Sequence, residues 1–285
     1  MEGHAPPEWK RDTPWRQGHV LEPSTAAALG LSEPLDPGST CVVVIGHDCD
    51  VANANLNAEP DVEVIVGRVV AAPHGNFSWG KAPRTLHLPM QRAGARVTVE
   101  LVTTSKRLVP KAFLAAFSPD DSFLLEPKSL AVLRSWLSSR YNRAAFTDTF
   151  VERMKTTKVD TRLAKLLELH GGLISFVYFD IDQGRALERP KGEPYELSIA
   201  LVFPPGDDLE ESADAANAVA EAVGKACEER LFDKTTQRCD DIMLKSCFAI
   251  SEDDLPVSKA RVLMHWRFEH MSFKSEEEQP NPPVT

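Results

Sequence analysis

Cys41-Val42-Val43-Val44-Ile45-Gly46-His47-Asp48-Cys49-Asp50-Val51-Ala52-Asn53 is the stretch on which the reading of this chain turns. Its first five residues are all apolar and four of them are β-branched. An unbroken apolar run of that length marks a strand buried on both faces. Gly46 ends the run, and a dense polar segment follows at once. Loops at the ends of rigid strands are where sites are commonly built.

Working outward, Trp15–Leu21 reads as a short strand and Val62–Val70 as a strong one. Pro73, Gly75, Asn76, Gly80 and Pro83 mark 71–83 as a loop. Leu86–Leu88 and Val97–Val102 alternate as half-buried strands do. Strands at this spacing close into a small barrel or a curled sheet. The middle is helical: 129–141, with Leu130, Leu133, Leu137 and Tyr141 on one stripe, then 147–156 and 161–170. Pro127 is expected to interrupt any earlier helix start. Gly171-Gly172 is expected to end the last helix as a C-cap pair. The final third gives strands at 174–179 and 195–203, paired as a hairpin, a long Ala-rich helix over 212–232, a strand at 242–250, and a last strand or helix within 262–271.

The expected fold class is α+β: an N-terminal β-rich, barrel-like part, central helices, and a C-terminal α/β sandwich of order β-β-α-β. The expected divisions are a flexible arm at 1–15, the β-rich domain at 16–110, a basic helical region at 111–171, the C-terminal domain at 172–274 and a disordered acidic tail at 275–285.

The chain has 285 residues, 42% hydrophobic and 26% charged, within the globular range. No apolar run approaches the roughly 18–20 residues of a membrane helix, and the polar, Pro-rich N-terminus is not a secretory signal. A cytoplasmic protein with no membrane partner is expected. Five cysteines, odd in number and without CxxC spacing, argue against a disulfide framework or a zinc knuckle. The net charge of −10 is unevenly spread: −7 over 1–80, +9 over 81–165 and −12 over 166–285. The basic segment suits a phosphate backbone, RNA or DNA. It equally suits docking on the acidic C-terminal part, which is also a candidate contact for a protein partner.

Three chemistries fit His47-Asp48-Cys49-Asp50. Asp48 and Asp50, with Glu63 or Glu59, could hold Mg²⁺ or Mn²⁺ for phosphodiester hydrolysis. Cys49 could be a nucleophile activated by His47 or His87, with His47 and Cys49 on one face of an extended segment. His47 and Cys49 could bind a transition metal with a distant His. Against all three stands an ordinary Asx turn after a strand. His87 reads as a satisfied core histidine. His265 and His270 lack a metal-site spacing, and Asp180-x-Asp182 reads as a turn. Phe77, Trp79, Lys81 and Arg84 mix aromatic and basic groups in a Gly-rich loop, which suits stacking on unpaired bases and also suits an ordinary surface loop.

Arg16-Gln17-Gly18-His19-Val20, the buried Cys41–Ile45, Val102–Leu108 and Phe117-Ser118-Pro119-Asp120 together resemble the layout of PemK/MazF-type toxins over about 16–137. That resemblance implies a small barrel that cuts single-stranded RNA. The family's small-residue and Arg constellation after the first long strand is replaced here by His47-Asp48-Cys49-Asp50. The Cys49-Asp50 pair, followed by Glu59-Pro60, also resembles bacterial proteins, a likeness that carries no activity with it. Two functions are therefore expected in competition. One is a metal-assisted nuclease, toxin- or defence-related, with His47 as general acid or base and Lys106, Arg107, Lys111, Arg134, Arg140 and Arg143 on the phosphates. The other is a non-catalytic binding or regulatory protein with a basic face for an anionic partner.

Overall fold

The protein is described as a computed structural model over residues 8–32, 36–139, 146–185, 187–233, 235–260 and 263–266. It is an α+β protein, and its chain forms two compact units. The first comprises Met1–Pro73 and Arg84–Ser138; the second comprises His74–Pro83 and Ser139–Thr285. The expected divisions at 110 and 171 do not coincide with these. The helical stretch 111–171 is shared between the units, and Gly171 lies inside the second.

The first unit holds α1 (Pro23–Ala28), β1 (Thr40–Val44), α2 (Asp48–Val51), β2 (Asp61–Val70), β3 (Thr85–Arg92), β4 (Ala95–Pro110), α3 (Lys111–Leu114), β5 (Phe123–Leu124) and α4 (Pro127–Ser139). Its five strands form one antiparallel sheet in the order β1-β2-β4-β3-β5. The sheet curls as a half-barrel. Residues 18–21 run along the outer edge of β1, with Val20 bridging Val43 and Leu21 bridging Pro119. Those pairings occupy backbone groups that an open edge would leave unpaired.

Both faces of β1 are buried, as its sequence predicts. Cys41, Val43 and Ile45 pack with Ile65, Leu86, Leu88, Leu101, Leu133 and Trp136. Val42 and Val44 pack on the other side with Trp9, Trp15, Leu21, Val62, Val64 and Leu114. Trp9 and Trp15 are almost fully buried, so the expected flexible arm does not extend over them. Pro127 starts α4 instead of interrupting it, since the first helical position has no use for an N–H. β4 is far longer than the alternating 97–102 suggests. Its pairing with β2 slips between Ile65 and Gly67, so the alternation breaks after Leu101 and resumes at Lys106.

The second unit holds α5 (Asp148–Thr156), α6 (Val159–His170), β6 (Phe176–Ile181), β7 (Tyr195–Phe203), α7 (Leu209–Leu231), β8 (Ile242–Ser251), α8 (Val257–Ala260) and β9 (Met264–His265). Its sheet order is β8-β7-β6-β9. β6 and β7 form the expected antiparallel hairpin, and β8 returns parallel to β7 after α7. Asp208 caps α7 by accepting the Glu211 amide at 3.0 Å. Ala216, Val219, Ala220, Val223 and Cys227 form its buried stripe. They pack with Val177, Phe179, Leu197, Ile199 and Leu201 of the sheet.

The segment 74–83 belongs to this second unit and packs on the end of α6. Asn76 Nδ2 donates to Ala164 O at 3.1 Å and Trp79 Nε1 to Gly172 O at 3.3 Å. Lys81, fully buried, donates from Nζ to Gly171 O at 2.7 Å and Ile174 O at 2.8 Å. Gly171 has helical φ, so its glycine is not there for a left-handed cap. A Cβ on Gly171 would run into the backbone of Gly75, and one on Gly75 into that of Glu168. The glycines allow the two backbones to touch.

Candidate functional site

After Val44 the chain leaves the sheet, and the amides of Ile45 and Gly46 both donate to Glu63 O. It then enters the single helical turn α2. His47 is the residue before that turn, and its Nδ1 accepts the Cys49 amide at 3.2 Å. The expected extended geometry, with His47 and Cys49 on one face, is replaced by a cap. The reason is local: a side-chain acceptor here satisfies an amide that the first turn leaves open. The neutral His47 ring then carries its proton on Nε2.

Asp48 is tied down as well. Its Oδ1 accepts the Gln17 amide at 2.8 Å, and its Oδ2 lies 3.7 Å from Arg134 Nη2. Gln17 is the hub of this corner. Its Nε2 donates to Ile45 O at 2.8 Å, and its Oε1 accepts from Arg134 Nε at 2.6 Å. Beside it, His19 Nδ1 accepts the Arg16 amide at 3.2 Å. Burial lowers the His19 pKa, Arg16 lowers it further, and Asp48 and Asp121 oppose both. The other end of α2 is closed by Lys111 Nζ, which donates to Asp50 O at 2.6 Å and Asn53 O at 2.9 Å. Trp9 Nε1 donates to Val51 O at 3.0 Å. Cationic and N–H donors at a helix C-terminus answer its open carbonyls.

The predicted residues are therefore partly dispersed. His47, Cys49 and Asp50 stand exposed on one turn, while Asp48 is half-exposed and engaged. Glu63 is exposed on β2. Among the described residues no three His, Cys, Asp or Glu side chains gather so as to hold a metal ion. The set Asp48, Asp50 and Glu63 is thus not assembled, and neither is His47 with Cys49 and a third ligand. His87, expected as a partner for Cys49, is buried on β3 with Nε2 3.0 Å from Glu100 Oε2. Glu100 also binds Arg68 at 2.8 Å. Its carboxyl is held low by the His87 hydrogen bond first, with burial opposing and Arg68 assisting.

Of the residues expected to meet phosphates, Arg107 is exposed and Lys106 half-buried. Arg107 Nη1 donates to Lys106 O at 2.8 Å. Arg134 is 47% exposed in its pair with Asp48. Lys111 is a correction: it is fully buried and spent on backbone carbonyls. Arg140 and Arg143, like His270 and the tail at 275–285, lie outside the described residues. The basic segment 81–165 is depleted further by Lys81 and by Arg153. The Arg153 guanidinium donates to the carbonyls of Glu193, Asp241, Arg189 and Pro190. Asp182 is a turn residue, accepting the Glu196 amide and pairing with Arg189. Phe77 stacks on His74 at 4.5 Å.

Sequence reasoning about the site missed Gln17, His19 and Trp9. Only the Arg16–Val20 motif of the toxin-like layout drew attention to the first two, and nothing drew attention to Trp9. No helix among the described residues is long and apolar enough to cross a membrane. No family model matches the chain, and neither a curated protein nor a solved structure matches it.

Proposed function

We propose that the protein is a non-catalytic binding or regulatory protein whose first unit contacts an anionic partner, a single-stranded nucleic acid. The observation that supports this most directly is the engagement of Asp48. A carboxylate that accepts the Gln17 amide and faces Arg134 is part of a closed corner, with little left for a cation. His47 is similarly used as a cap. The exposed Arg107 and the half-buried Lys106 beside it are the groups that would meet phosphates, and their attraction is electrostatic and salt-dependent. The resemblance to RNA-cutting barrels is the reason for choosing RNA as the probe.

A hydrolase remains the competing reading, supported by the exposure of His47, Cys49 and Asp50 together on α2. The test presents end-labelled single-stranded RNA and DNA of mixed sequence to the full chain, with and without Mg²⁺ or Mn²⁺. The expected result is retention of an intact strand that weakens as salt rises. Lys106→Ala with Arg107→Ala should lower the slope of log affinity against log salt by about 1–2. Cation-dependent cutting that Asp50→Ala abolishes would overturn the binding reading and restore the nuclease.

A further inference from the structure

A cavity of about 340 Å³ lies at the C-terminal end of α7, lined by Glu228, Glu229, Leu231, Phe232, Cys239 and Leu244. That volume falls at the lower end of the range of roughly 300–1,000 Å³ typical of small-molecule sites. It lies within the second unit, and nothing in the proposed nucleic-acid contact uses it.

Local chemistry explains why the cavity exists. α7 stops at Leu231, and Phe232 turns extended while its amide still bonds Glu228 O at 3.1 Å. The chain then reverses tightly. The Asp233 amide donates to Arg238 O at 2.9 Å, and Asp233 Oδ1 accepts the amides of Thr235 and Thr236. The reversal brings Cys239 and then Leu244, at the start of β8, back beside the last turn of the helix. Leu231 is buried, whereas Phe232 is 41% exposed. An apolar wall is thus left open to a ligand.

The charged residues that line the cavity are both acidic. Glu228 and Glu229 are exposed carboxylates in its lining. The end of a helix adds partial negative charge from its open carbonyls. Over 228–241 the sequence places five carboxylates (Glu228, Glu229, Asp233, Asp240, Asp241) against three basic residues (Arg230, Lys234, Arg238). The Cys239 thiol registers the same field: burial pushes its pKa up, and Asp240 and Glu228 push it further.

We infer that this cavity binds a small aliphatic ammonium, its charge held by Glu228 and Glu229 and its hydrocarbon seated on Leu231, Phe232 and Leu244. The walls favour an alkyl chain. The carboxylates and the helix end favour a cation over a neutral or anionic head of the same length.

The test uses the full chain carrying Cys49→Ser, which removes the exposed thiol. Modification of Cys239 by N-ethylmaleimide is followed by peptide mass spectrometry with n-hexylammonium, hexanol or hexanoate present. Hexylammonium should slow Cys239 modification several-fold, while hexanol and hexanoate at the same concentration leave it unchanged. Glu228→Gln with Glu229→Gln should abolish that protection without shifting the melting temperature. A parallel titration follows the methyl signals of Leu231 and Leu244, which should move with hexylammonium alone. Equal protection by hexanol would remove the charge selection and overturn the inference. So would unchanged methyl signals and unchanged Cys239 modification with all three compounds.

Discussion

Lys111 in the first unit and Lys81 in the second perform one task under different conditions. Each sends a buried ammonium to two backbone carbonyls at or just past the end of a helix, Asp50 and Asn53 for Lys111, Gly171 and Ile174 for Lys81. Around the buried Lys111, Asp50 is exposed and Asn53 half-buried, so the corner lies just beneath the surface. Burial lowers the Lys111 pKa, but Glu59, Asp50 and Asp61 push back. For Lys81 burial alone acts, and lowers the pKa to about 7. A buried cation is held at low cost only where carboxylates face it. The first unit meets that condition at α2. The second accepts a strained charge because two carbonyls would otherwise be stranded inside.

The sharpest test of that contrast is Lys81→Met. It keeps most of the volume but leaves two buried acceptors without a donor, at about 1–3 kcal/mol each. The expected loss is roughly 2–5 kcal/mol, read as faster amide hydrogen exchange in α6 with β1 unchanged. The pH dependence carries its own signature. Below about pH 7 the folded and unfolded chains both hold the Lys81 proton. Between about 7 and the ordinary value of 10.5 only the unfolded chain holds it. Unfolding then takes up a proton, so stability rises with pH across that window. Lys81→Met should flatten the rise. A pH profile identical to that of the native protein would show that the ammonium is not the strained element.

Gly171→Ala probes the same place without touching charge. Its Cβ would meet the backbone of Gly75, and overpacking of this kind costs about 1–3 kcal/mol. Loss of the Trp79 Nε1 to Gly172 O bond should accompany it, visible as a shifted indole N–H resonance. The smallest effect is expected from Lys111→Met, about 1 kcal/mol, because its carbonyls can turn to water. Measured by urea unfolding, a cost above that of Lys81→Met would break the comparison.

How much of this the sequence revealed depends on the kind of signal. β1, β2, β7, β8 and α7 were legible because apolar runs and 3.6-residue stripes report burial directly. Residues 8–15 were not: Trp9 and Trp15 sit among prolines and charges with no period, and only tertiary packing buries them. β4 was cut short because its slip against β2 scrambles the alternation. At the site, the polar cluster was found in the right place but in the wrong conformation. Nothing local says that His47 will cap an amide or that Gln17, 31 residues before Asp48 in the chain, will close on it. Lys111 reads as a phosphate contact from sequence because a capping lysine and an exposed one look alike there.

The placement of 74–83 within the second unit has a consequence for the order of synthesis. Gly171 leaves the ribosome 90 residues after Lys81. At about 5–20 residues per second that delay is roughly 5–20 s. By then β1 to β5 have all emerged, and the first unit has its whole chain by Ser138. The segment carrying Phe77, Trp79 and Lys81 waits through that interval without α6 to receive it. Its two aromatic rings are then without the packing of α6, open to a chaperone or to a neighbouring nascent chain.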